Sequence, residues 1–266
     1  MISRLPGLSL PERAWGVVRR WALAWWRILY LGAVVCVLVL SPSSYGKVTR
    51  RALARHLYLD TAPVLLGFTV LAALISLVLT RIVVVTALSY GLSRYALEMV
   101  IRVLVLELIP LTAALFVAMR CTIPNGTQLA LLRQSGHLAR LSHAGADPIR
   151  VELLPRAVAG VFACITLAAL SCVVALVLAY LGVYGFSLAG LPSYTRMFGH
   201  VFAPAVTLVF VIKTVLFSLA VALIPMAAGL YDTGERTQPD SELGGLARMF
   251  AVLLLIAIGS LVGNYY

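Results

Sequence analysis

Lysine occurs only twice in this chain, at positions 47 and 213, and charged residues of all kinds make up 12% of its 266 residues. Neither lysine follows a glycine-rich turn of the GxxxxGK[ST] type, so that kind of nucleotide-phosphate cradle is excluded. Histidine is scarce as well. His56, His137, His143 and His200 are scattered, with no HExxH pair and no Cys-His cluster, which leaves metal catalysis without a ligand set. Cys36, Cys121, Cys164 and Cys172 lack metal-ligand spacing and sit in or beside apolar stretches, where they read as small buried hydrophobes. So few charges, beside a hydrophobic fraction of 62%, exclude an ordinary soluble domain.

What the chain has in quantity is apolar runs. A helix crossing hydrocarbon needs about 20 mostly apolar residues, because its backbone polar groups must all be satisfied within the helix. The chain therefore reads as an all-α integral membrane protein, a single membrane domain over 1–266 with about five crossings expected over 61–92, 95–120, 149–184, 200–230 and 246–266. Residues 157–195 contain no Asp, Glu, Lys or Arg. The stretch before the first crossing differs. At about 100° per residue, Arg13, Arg20 and Arg27 share one face and Trp15, Val18, Ala22, Trp25 and Leu29 the opposite one. That pattern predicts an interfacial helix in an elbow region over 1–60, lying along the membrane or dipping into it. Trp15, Trp21, Trp25, Trp26, Arg20 and Arg27 are its expected anchors. No cleavable signal is apparent, so the N-terminus is expected to stay.

The net charge of +11 does not point to nucleic acid, because nine of the 21 Lys and Arg lie in the first 55 residues, beside membrane segments. The connector between the second and third crossings carries Arg120, Arg133, Arg140, Arg150 and Arg156, whereas the 185–199 loop has only Arg196. The positive-inside rule then expects the N-terminus, the connector and the 231–248 loop in the cytoplasm and the C-terminus outside, with Arg81 and Arg94 in the first outer turn running against it.

Inside the crossings, ionisable residues are functional candidates by cost alone. Lys213 lies within an apolar run and reads either as part of a polar route or as a side chain snorkelling to the headgroups. Glu98 and Arg102 are four apart and can neutralise each other on one helix, while Glu107 needs a partner from elsewhere. In the connector, 126–145 predicts an amphipathic helix with Leu131, Leu138 and Leu141 on its apolar face and Arg133, Gln134, His137 and Arg140 toward water. Gly145 ends it, and Asp147 with Pro148 restarts the chain as N-cap and first helical residue. The NGT triplet at Asn125 matches a glycosylation site, but the expected topology makes it cytoplasmic.

In order along the chain stand ELIP at 107–110, AMR at 118–120, HAGADP at 143–148 and LLPR at 153–156. With IKTVLFSLAVALIPMAAGLYD at 212–232 and RHLYLDTAPVLL at 55–66, these resemble the MlaE/YrbE-type permeases of bacterial ABC transporters that work with MCE proteins in lipid transport. The family pattern runs E-L-G-P, A-G-R-x-G, A-E-[LI]-G, E-Q, G-x-D-P and P-R. This chain departs from it at Ile109, Gln128, Ala130, Gly136 and His137, so acidic residues that the family carries on its coupling helix are missing.

The resemblance implies a permease without bound cofactor in the bacterial inner membrane. It would work with an ABC ATPase that binds ATP and Mg, an MCE-domain protein, and a second permease copy or paralogue. Gln128, Leu131, Arg133, His137, Leu138, Arg140, Leu141, Asp147 and Pro148 would then couple to the ATPase, and Glu98, Arg102, Glu107 and Lys213 would flank the route of membrane lipid. Two alternatives stand beside it. A membrane-embedded lipid-modifying enzyme could use Glu98, Glu107 or His200 as acid or base, but those groups are spread over different segments without a nucleophile motif. A non-transporting scaffold for an ATPase and MCE assembly would explain the lost acidic residues.

Overall fold

The computed structural model describes residues 10–41, 46–91, 93–231 and 239–265. Among them the chain forms eight helices: α1 (Leu10–Leu40), α2 (Lys47–Ser89), α3 (Tyr95–Gln134), α4 (His137–His143), α5 (Ile149–Tyr184), α6 (Leu191–Val201), α7 (Pro204–Tyr231) and α8 (Pro239–Tyr265). The all-α membrane architecture read from composition is what the structure has. Six segments are long and apolar enough to cross a membrane: Trp21–Leu40, Thr49–Ser89, Tyr95–Gln134, Ile149–Tyr184, Pro204–Tyr231 and Gly244–Asn264.

The segment beyond the five expected is α1, whose apolar part reaches crossing length because the helix runs unbroken from its tryptophans to Leu40. Its inward face nevertheless seats at one end of the bundle. Leu31, Val35 and Leu38 share a core cluster with Leu129, Leu153, Leu154, Ala157, Met226 and Ala227, which all belong to the ends of α3, α5 and α7 nearest the 135–148 connector. Trp21 and Trp26 are 60% and 69% exposed, while Trp25 is half-buried and packs edge-on against Trp21 at 5.8 Å. The side chains of Trp15 and Arg20 lie outside the described ones.

Three stretches are wound as π-helix, Ile101–Leu108 and Ala118–Thr122 in α3 and Ile149–Leu153 opening α5. Two residues after each comes a proline: Pro110, Pro124 and Pro155. A proline has no N–H for the carbonyl four residues back and its ring collides with that carbonyl, so the preceding turn widens to make room. Elsewhere glycine supplies the breaks. Gly91 (φ 71°) turns α2 toward α3, as the sequence places that turn. Pro192 in its first turn launches α6 from within what the sequence reads as the 185–199 loop, and the Tyr194 hydroxyl pins that helix by donating to the Leu176 carbonyl at 3.0 Å.

The core is built from small side chains. Ala113, Ala114, Ala118, Ala163, Cys164 and Ala168 are all buried at its centre beside Phe68 and Phe217, and such residues let helix backbones approach where lipid offers no hydrophobic drive. Cys121 and Cys172 are buried as expected, but Cys36 is exposed, because it falls on the outer face of α1. The closest approach joins α3 to α7. A carbon added at Gly126 would stand 2.6 Å from the Pro225 carbonyl oxygen, and one at Gly229 would stand 2.2 Å from that of Gly126. Gly126→Ala is accordingly expected to lower stability by about 1–3 kcal/mol through overpacking. Thermal unfolding in detergent checks this, with Gly67→Ala as control: its added carbon meets nothing within 4 Å, so its midpoint stays level or rises.

Candidate functional site

Two polar constellations interrupt the apolar bundle. The first lies in the membrane core between α3 and α7. Pro110 cannot donate to the carbonyl of Leu106, four residues before it, and this is the carbonyl that Lys213 Nζ reaches, at 3.2 Å. The same ammonium pairs with Glu107 Oε2 and stands 5.7 Å from the centre of the Phe217 ring. Lys213 is 2% exposed, so it does not snorkel, and it is the partner that Glu107 lacked in the sequence reading. Glu107 Oε1 is buried with no hydrogen-bond partner among the described residues. Nearer the start of α3, Arg102 Nε donates to Glu98 Oε1 at 2.9 Å, the i,i+4 pair expected, with both side chains about a quarter exposed. The structure thus brings Glu107 and Lys213 together and keeps Glu98 with Arg102 as a second pair on the same helix.

The second constellation is at the connector end, and the sequence reading missed it. Asp60 of α2 accepts from Asn125 Nδ2 of α3 at 2.9 Å, and its carbonyl accepts from Cys121 Sγ at 3.2 Å. His56, one turn earlier, stands 4.0 Å from the Asp60 carboxylate. On α5, Arg156 Nη1 donates to Glu152 Oε2 at 2.5 Å and to the Glu152 carbonyl at 2.6 Å, while the other carboxylate oxygen faces His137 of α4 at 3.9 Å. Asn125 and Arg156 are both buried, so the Asn125 amide is closed to modification and the Arg156 guanidinium faces the bundle rather than water. The signal available was the helical spacing of His56 to Asp60 and of Glu152 to Arg156, each four apart.

Between them lies the connector. The single helix expected over 126–145 is two pieces. Its first part, to Gln134, continues α3 into contact with α7, and Gly136 (φ 70°) breaks the chain before α4. That break resets the helical phase. Leu131 is therefore 63% exposed rather than sharing a buried face with Leu138, and Leu129 is the buried leucine. Arg133, expected toward water, turns inward to donate to the Leu230 carbonyl at 2.9 Å, while Arg140 donates to the Ser135 carbonyl at 2.9 Å. Gln128 and Asp147 are exposed; His137, Leu138, Leu141 and Pro148 are half-buried. At the far side, Gly145 (φ 77°) ends α4, with the Ala146 N–H reaching back to the Leu141 carbonyl at 3.0 Å. Asp147 Oδ1 then caps the next helix by accepting the Ile149 N–H at 3.0 Å.

The family model of the permease MlaE matches the chain over residues 53–259. The chain belongs to the MlaE permease family. It is a multi-pass membrane protein and a transporter subunit rather than an enzyme. A search of curated proteins finds no match. The matched region starts within α2 and ends within α8, so it takes in both polar constellations and leaves α1 outside.

Breaking the α3–α7 pair from one side strands a charge in a dry interior. Lys213→Met is expected to cost about 3–5 kcal/mol of stability, and the double change Glu107→Gln with Lys213→Met to recover most of it. A double-mutant cycle read by thermal unfolding checks this; additive effects would dissolve the pair as a unit.

Proposed function

We propose that this chain is the permease subunit of an ABC transporter that moves phospholipid or another hydrophobic lipid between the bacterial inner membrane and periplasmic MCE proteins. The observation that carries the reading is the family match across 53–259 in a chain whose sequence has no phosphate loop of its own. Energy then comes from a separate ATPase carrying ATP and Mg, docked on the cytoplasmic connector. A second permease copy or a paralogue completes a membrane dimer, and the N-terminus and connector face the cytoplasm, as the arginine distribution supports.

The proposed working parts follow from the geometry. α4 is a short helix bounded by two glycine turns, and His137 at its start faces Glu152, which is tied to Arg156 on α5. Movement of α4 by the closing ATPase is passed through that contact to the base of α5 and through Arg133 to the end of α7. Higher in the bundle, the Glu107–Lys213 pair borders the lipid route, where a charged headgroup competes for either partner. Leu131, 63% exposed at the connector end, is an apolar anchor for the ATPase surface.

Tagged full-length chain is expected to co-purify with an ATPase and an MCE protein, and Leu131→Asp to lower recovery of the ATPase about tenfold while the permease stays monodisperse. Proteoliposomes holding the complex are expected to transfer fluorescent phospholipid only with ATP. Assembly without any ATP-dependent transfer would favour a scaffold, and lipid modification by the isolated chain would favour an enzyme.

A further inference from the structure

The α1, α7 and α8 helices line a small cleft, open to the surface, at the connector end. Two arginines line it, Arg27 from α1 and Arg248 from α8, together with Tyr231 at the end of α7. Arg27 Nη1 reaches the Tyr231 carbonyl at 3.4 Å and its guanidinium lies 5.7 Å from the centre of the Tyr231 ring, while Arg248 Nε donates to the Gly244 carbonyl at 3.0 Å. Among the described residues neither guanidinium meets a carboxylate, although carboxylates pair with Arg102, Arg150 and Arg156 elsewhere. The room itself comes from small side chains. Ala24, Ala228 and Gly245 line the cavity from three facing helices, and a carbon added at Gly245 would already touch Ala228 at 3.7 Å.

We infer that this cavity binds the phosphate of an anionic phospholipid headgroup, with its acyl chains lying along α1 and α8. Charge selects the phosphate: guanidinium forks match its oxygens, and two of them within one cavity outweigh its remaining hydration. The surroundings select a lipid over a phosphate from solution. Trp21, Trp26 and Leu29 beside Arg27 are exposed, as are Phe250, Leu254 and Leu255 beyond Arg248, so the cavity opens onto lipid-facing surface at the depth where tryptophans sit. The site deepens the membrane-permease reading by giving α1 a ligand, but it needs neither ATP nor transport.

The test uses the full chain in nanodiscs of equimolar phosphatidylglycerol and phosphatidylcholine, followed by native mass spectrometry of the lipids retained on release. The wild type is expected to keep phosphatidylglycerol preferentially. Arg27→Ala and Arg248→Ala each lower that retention about five-fold, in line with the worth of one arginine at an anionic surface. Ala228→Leu, which fills the cavity and leaves both charges, lowers it as well and serves if either alanine variant fails to fold. Three results overturn the proposal. Unchanged retention in the Arg27→Ala/Arg248→Ala double variant removes the site. Displacement of the lipid by inorganic phosphate makes the ligand a soluble anion. Equal retention of both lipids by the wild type removes the preference for an anionic headgroup that the two arginines are inferred to give. Since none of these measurements involves an ATPase, failure of lipid transport leaves the result standing, and the reverse holds too.

Discussion

A carbonyl oxygen in hydrocarbon must have a donor, and Pro110 takes away the donor that the Leu106 carbonyl would have within its own helix. Lys213, arriving from α7, supplies one. That requirement explains why one of only two lysines in the chain lies where a charge is most costly. It also explains why Glu107, next to the orphaned carbonyl, is a carboxylate: an ammonium brought inward to serve a carbonyl needs a counter-charge, and the side chain nearest that carbonyl provides it. The α3–α7 contact is then fixed from both ends, by this ion pair in the membrane core and by the Gly126–Gly229 approach near the connector.

The connector end is organised differently. There the polar groups lie on four helices and are linked in short steps, Asn125 to Asp60 and His137 to Glu152 to Arg156, so that α4 has a path of contacts into the bundle. Arg133 adds a direct tie to the last turn of α7. The two constellations sit on shared helices. Each of α3 and α7 carries one half of the buried pair and one half of a connector tie, and a displacement of either helix along its axis is felt at both.

Much of the fold was legible because hydrocarbon imposes a simple rule: the apolar runs had to be helices, and the polar, glycine-punctuated stretches between them had to hold the turns. The Glu98–Arg102 pair was legible for the same reason, since four residues along a helix are neighbours wherever the helix lies. The Glu107–Lys213 pair was not, because 106 residues separate its members and only tertiary packing joins them. The faces of Leu131 and Arg133 were misassigned because a single helical phase was carried across Gly136, where the backbone leaves the right-handed region and the count of faces restarts. α1 was the hardest to place. Its length suits a crossing and its buried leucines suit a seat at one end of the bundle, and no periodicity in one segment distinguishes the two.

The widened turns before the prolines also have a bearing on how this chain tolerates change. Each π turn accommodates one more residue than an α turn, so it acts as an insertion already absorbed into the helix. Everything beyond it on α3 is rotated by about 100° relative to an unbroken α-helix of the same sequence. The inward set of Glu107, Asn125 and Leu129 is therefore in phase only because residues 101–108 and 118–122 each hold their extra member. Removing one residue from the first stretch would tidy the helix and, in doing so, swing the whole lower half of α3 away from α7.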